Sequence, residues 1–126
     1  MPSLEADHVA AVAIDDLPSL YDGLIKLARN GLGITAFGVQ VMDLPPDYTT
    51  QSHDEGGSGQ QELYVGLRGD GFVLTPEQRL PIGEGRLVRI DPGVDRRLAS
   101  GPDGVRILCV GSVPGGVYTP PEWTGE

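Results

Sequence analysis

Glu62-Leu63-Tyr64-Val65-Gly66-Leu67-Arg68-Gly69-Asp70-Gly71-Phe72 is the stretch on which the fold turns. Aromatic, β-branched and aliphatic residues over 62–68 predict a strand. Gly69-Asp70-Gly71 then predicts a hairpin turn into a partner strand beginning at Phe72, because an Asp-Gly pair readily takes the positive φ of a tight turn. The same texture continues outward. Further strands are expected at Arg86–Ile90, around Arg97-Leu98 and at Val105–Val110, separated by Pro81–Gly85, Asp91-Pro92-Gly93 and Gly101–Gly104 as turns. Upstream, Ile34–Met42 reads as a strand closed off by Pro45-Pro46, and 47–61, with Gly56-Gly57-Ser58-Gly59, reads as a flexible loop. Gly and Pro together make 30 of 126 residues with no collagen-like period, so they mark frequent turns. Short strands at such regular spacing predict an all-β sandwich or barrel.

The N-terminal third has a different texture. His8–Ile14 is an apolar run expected to form an opening strand. Asp15 or Asp16 is a candidate N-cap with Pro18 in the first turn, and Leu17, Leu20, Leu24, Leu27 and Ala28 fall at helical spacing. A helix ending at Gly31 or Gly33 and lying across the β-structure is therefore expected. The layout that follows is a strand and helix over 1–33, a barrel over 34–113 and an extended Pro-rich tail over 114–126. In that tail Trp123, helped by Tyr118, is a candidate lid or contact for a neighbouring subunit.

At 126 residues, one hydrophobic core is expected. A net charge of −9 repels phosphate backbones and argues against nucleic acid as a partner. No run approaches the roughly 18 apolar residues that span a bilayer, and no basic-then-apolar leader opens the chain, so no membrane partner and a cytoplasmic location are expected. Cys109, the lone cysteine, lies in the apolar run Val105–Val110 and reads as a packing residue rather than a catalytic thiol.

The sequence resembles the cupin superfamily across about residues 34 to 113. Glu62 and Gly69 carry the spacing that ends the first cupin motif, and Asp91-Pro92-Gly93-Val94-Asp95-Arg96-Arg97 stands where the second lies. The resemblance implies a cupin-type β-sandwich or jelly-roll barrel, with one N-terminal helix, a small-molecule pocket and a homodimer. Two departures bear on chemistry. Of the first motif's histidine pair only His53 remains, with Gln51 or Glu55 at the other position, and the gap from His53 to Glu62 is lengthened by the Gly/Ser cluster. Arg96 occupies the place of the second motif's histidine, and a guanidinium donates only and cannot ligate a cation.

The resemblance thus leads to a cavity without the full histidine set and with no cofactor. In that reading Arg96 anchors a carboxylate or other anion, or pairs with Glu62 or Glu55 where a metal would sit, while Tyr64 and Glu55 contact the ligand. The register favours Arg96 over Arg97 as the inward residue. Tyr64 shares a strand face with Glu62. The alternative is a cupin enzyme. One form is a metal-dependent oxygenase with a divalent transition metal at His53, Glu55 and Glu62, with Gln51 or Gln61 as weak oxygen donors. The other is a metal-independent isomerase or cyclase in which His53 and Glu62 do acid–base work, imidazole being the side chain that ordinarily titrates near neutral pH.

Overall fold

A computed structural model describes residues 8–120 and 122–124. Two long strands form its frame: β4 (Gln61–Leu74) and β7 (Arg97–Ser112), antiparallel along nearly their whole length. Around them lie β1 (Ser19–Leu20), β2 (Ile25–Lys26), β3 (Gly38–Leu44), β5 (Arg79–Pro81) and β6 (Leu87–Ile90). The order is β1-β2-β3-β7-β4-β5, and β6 pairs with the first half of β4 on the side away from β7. The expected all-β class is what the chain adopts.

The expected hairpin at Gly69-Asp70-Gly71 is not a reversal. β4 runs straight through it, with register shifts between Gly66 and Arg68 and again between Gly69 and Gly71. At the second shift Gly69 pairs with Val105 and Gly71 with Ser100, so Asp70 alone faces the four residues 101–104. The expected turn at Gly101–Gly104 is therefore an excursion within β7. Gly69 sits at φ +79°, and a Cβ there would collide with the Gly104 carbonyl, so glycine is required for strand continuity rather than for a turn.

The N-terminal helix is much shorter than its leucine spacing predicts. Only Ala28–Leu32 is α-helical, and Ser19–Lys26 folds as the β1–β2 hairpin. Asp22 and Gly23, at φ +60° and +91°, form the tight turn, with Leu24 N–H donating to the Tyr21 carbonyl at 3.2 Å. The leucines divide between two clusters. Leu17 packs with Ala28 and Val39, whereas Leu24 packs against the barrel core. No strand forms over 8–14. Val12 and Ile14 instead lie partly buried over the first cluster, with Leu108 and Val110 beneath.

Alternation along β7 separates the two faces: Val105, Ile107 and Cys109 enter the barrel core, while Leu108 and Val110 meet the N-terminal segment. The barrel core also holds Tyr64, Val73, Ile82, Val88, Ile90 and Leu98. Each such aliphatic side chain contributes roughly 1.5–3 kcal/mol by leaving water. Within 47–61, expected to be flexible, 48–53 runs alongside β7. Thr50 N–H donates to the Leu98 carbonyl at 2.9 Å, and His53 and Arg96 exchange backbone bonds of 3.0 and 2.8 Å. The tail is anchored too: Tyr118 is buried, its ring occupying the space that the missing Cβ of Gly38 leaves.

Candidate functional site

One end of the barrel opens into a cavity of about 680 Å³. Its polar floor is built by strand parity and by the pinned segment. Glu62 and Tyr64 share the inner face of β4, and Gln60 lies just before that strand on the same side, buried. His53, Glu55, Gln51 and Thr50 come from the segment alongside β7. Elsewhere the lining mixes apolar side chains, Leu24, Ile25, Val39 and Met42 among them, with Arg29, Gln40 and Thr119, and exposed Tyr21, Tyr48 and Trp123 also take part.

Glu62 is the hub. The Tyr64 hydroxyl donates to its Oε1 at 2.6 Å, and the Cys109 thiol points at its Oε2 at 3.6 Å. His53 Nε2 lies 3.9 Å from Glu62 Oε1 and 3.6 Å from Glu55 Oε2. Glu55 is steadied on its other oxygen by the Ser58 hydroxyl at 2.6 Å, and Gly59 N–H closes that turn on the Glu55 carbonyl at 2.7 Å. The Gly/Ser cluster thus shapes a turn that aims Glu55 at His53. Burial pushes the Tyr64 phenol and the Cys109 thiol well above their ordinary ranges, and the adjacent Glu62 carboxylate acts in the same direction. Both stay protonated, and Cys109 is a poor nucleophile, since attack requires thiolate.

Arg96 is fully buried, while Arg97 on the other face is exposed. The Arg96 guanidinium reaches Glu62 Oε1 at 3.6 Å, yet Nε, Nη1 and Nη2 have no hydrogen-bond partner. It is also absent from the cavity wall. Of the two places expected for Arg96, the guanidinium takes the one against Glu62, outside the cavity lining, and Glu62 lines the cavity. Glu55, Tyr64, His53 and Glu62 all line the cavity. Gln61, considered as an oxygen donor, faces away and bonds Asp91 at 2.8 Å. Gln60 takes the inward place, and the same parity that joins Tyr64 to Glu62 identifies it.

His53, Glu55 and Glu62 bring one ligand atom each within 4.8 Å of one another, a spacing that a divalent ion can bridge. The chemistry of the set does not fit the metal that the fold implies. There is one imidazole, both oxygens of Glu62 already face donors, and a fixed guanidinium lies 3.6 Å from Glu62 with its own nitrogens unsatisfied.

No protein-family model matches the chain, and no curated protein matches it. Solved structures do. A cupin protein from Bacteroides fragilis superposes with a TM-score of 0.70 at 18% identity, over 90% of this chain and 92% of that one. A sugar phosphate isomerase from the cupin superfamily of Silicibacter pomeroyi gives 0.68 at 16%, over 88% and 77%. A predicted oxalate decarboxylase from Thermotoga maritima gives 0.66 at 19%, over 82% and 99%. The chain has the cupin fold, a jelly-roll barrel of the double-stranded β-helix kind. Among the described residues no helix is long and apolar enough to cross a membrane.

Proposed function

We propose that the protein binds a small organic molecule in the barrel cavity, with His53, Glu55, Glu62 and Gln60 reading its polar end and apolar side chains of the lining holding its body. The observation that carries this reading is the composition of the floor. Convergent hydrogen-bonding groups share a cavity of about 680 Å³ with apolar side chains such as Leu24, Ile25, Val39 and Met42. The floor presents carboxylates to the ligand, so it favours a ligand that donates hydrogen bonds, a hydroxyl or an amine, over the carboxylate ligand that a directly exposed Arg96 would favour.

Thermal denaturation with polyols, small amines and small carboxylates as separate probe sets tests the reading. A fitting probe at about one hundred times its Kd adds ~2.7 kcal/mol of stability. Glu55→Gln is expected to abolish most of that gain while leaving the unliganded melting temperature nearly unchanged. Stabilisation by carboxylates alone would reinstate Arg96 as the anchor, and no response to any probe set would remove the binding reading.

A second reading has its own support. His53 Nε2 lies within 4 Å of two carboxylates, which suits a proton-transferring pair acting on a bound ligand. A similar solved structure is a sugar phosphate isomerase, so sugar phosphate isomerisation is the reaction to assay first. His53→Gln that keeps ligand binding but abolishes turnover is the expected signature.

A further inference from the structure

We propose that Arg96 is the resident cation next to the cavity: its guanidinium supplies at Glu62 the positive charge that a divalent ion would otherwise supply, and that charge keeps such an ion out. The backbone fixes where that side chain starts. His53 and Arg96 are directly opposed, exchanging two backbone hydrogen bonds of 3.0 and 2.8 Å, so their side chains leave the same face of the pair. His53 reaches toward Glu55 and Glu62 from one strand, and Arg96 reaches Glu62 from the facing one. A histidine at 96 would leave the backbone on the same face of that pair as His53.

The burial of Arg96 is otherwise hard to account for. A fully buried guanidinium whose three nitrogens make no hydrogen bond gives the fold little that an apolar side chain would not give. What it does supply is a permanent positive charge at Glu62, in a medium that screens poorly. Tyr64 and Cys109 direct protons at the same carboxylate from other sides. A divalent ion approaching His53, Glu55 and Glu62 therefore meets a like charge at Glu62 Oε1, the same oxygen that faces His53. The arrangement excludes metals by electrostatics while leaving a spacing that would otherwise admit one.

The inference concerns the same floor as the ligand reading but needs no organic ligand. A failed ligand panel leaves it standing, and metal uptake by the wild-type protein leaves ligand binding standing. The test is titration of wild-type, Arg96→His and Arg96→Met protein with Co²⁺ alone, following the visible d–d absorption that ligation produces. Wild type is expected to bind no tighter than about 1 mM, R96H at one ion per chain at least ~100-fold more tightly, and R96M at least ~10-fold more tightly. Where R96H does not fold, R96M carries the comparison, because methionine refills most of the arginine's volume and Glu62 keeps the donors Tyr64 and Cys109. Saturable wild-type binding in the micromolar range overturns the proposal. So does a folded R96H or R96M that binds Co²⁺ no more tightly than wild type. A merely structural role for Arg96 would shift the melting temperature and leave the Co²⁺ spectrum unchanged.

Discussion

Two arginines of this barrel are paired in opposite ways. Arg106, on β7, forks onto Asp43 of β3 with bonds of 2.7 and 2.9 Å and reaches Asp15 at 2.6 Å. It lies at the surface of the sheet, where it ties the N-terminal segment to two strands. Arg96, one residue before the same strand, is buried without a single side-chain hydrogen bond and has only a carboxylate oxygen at 3.6 Å. Arg106 uses the planar, directional fork for which arginine is suited, whereas Arg96 uses only its charge. The first is a clamp of the fold, and the second sets the electrostatics of the cavity floor.

Removing each charge should separate these roles. Arg96→Ala strands Glu62 beside a new void and is expected to cost about 3–5 kcal/mol in urea denaturation. The double variant Arg96→Met, Glu62→Leu should recover most of that loss. If the double variant falls as far as R96A, the pair is a stability element and the contrast with Arg106 collapses. Arg106→Met removes charge-assisted bonds from a partly exposed fork, for an expected loss of about 1.5–3 kcal/mol. Amide hydrogen exchange should localise that loss to 12–26, where the Asp15 end of the clamp lies.

The clamp also predicts a pH dependence. The bonds from Arg106 hold the Asp43 carboxyl below its ordinary value of 3.8. A carboxylate with a depressed folded-state pKa contributes its full stability above the unfolded value and loses it as pH falls through the folded one. Stability should therefore decline below about pH 4 in wild type, and less steeply in Asp43→Asn. Equal acid sensitivity in the two proteins would mean that other carboxylates dominate. The smallest expected effect is that of Tyr64→Phe, about 1–2 kcal/mol for the lost bond to Glu62, measured by the same denaturation.

The barrel was legible in the sequence wherever one local rule had one outcome. The strand from Glu62, the strand before Asp91-Pro92-Gly93, and the turn in which Gly93 sits at φ +86° all follow from neighbours in the chain. Gly69-Asp70-Gly71 and Gly101–Gly104 misled because positive-φ glycines serve strand irregularities as well as reversals, and only the register of β4 on β7 decides between them. The leucines at 17, 20, 24 and 27 misled for a related reason. Their spacing fits a helix, but the Asp22-Gly23 turn falls among them, and Leu17 and Leu24 pack in different clusters.

The site was legible in part. Strand parity joins Tyr64 to Glu62, and the motif spacing brings Arg96 toward them. That Arg96 lies against Glu62 and outside the cavity lining depends on the pairing of His53 with Arg96 and on Cys109 lying opposite Tyr64. Asp15 shows the same limit: as sequence it is a solvated acid or cap, and only the fold brings it 91 residues along the chain to Arg106.

A fixed guanidinium rather than a metal is the proposed source of positive charge at Glu62. Elemental analysis of protein purified from medium supplemented with manganese, iron, cobalt, nickel and zinc tests it directly. The expected content is below about 0.1 transition-metal ion per chain in wild type, rising toward one in Arg96→His. About one ion per wild-type chain, lost in His53→Ala, would contradict it.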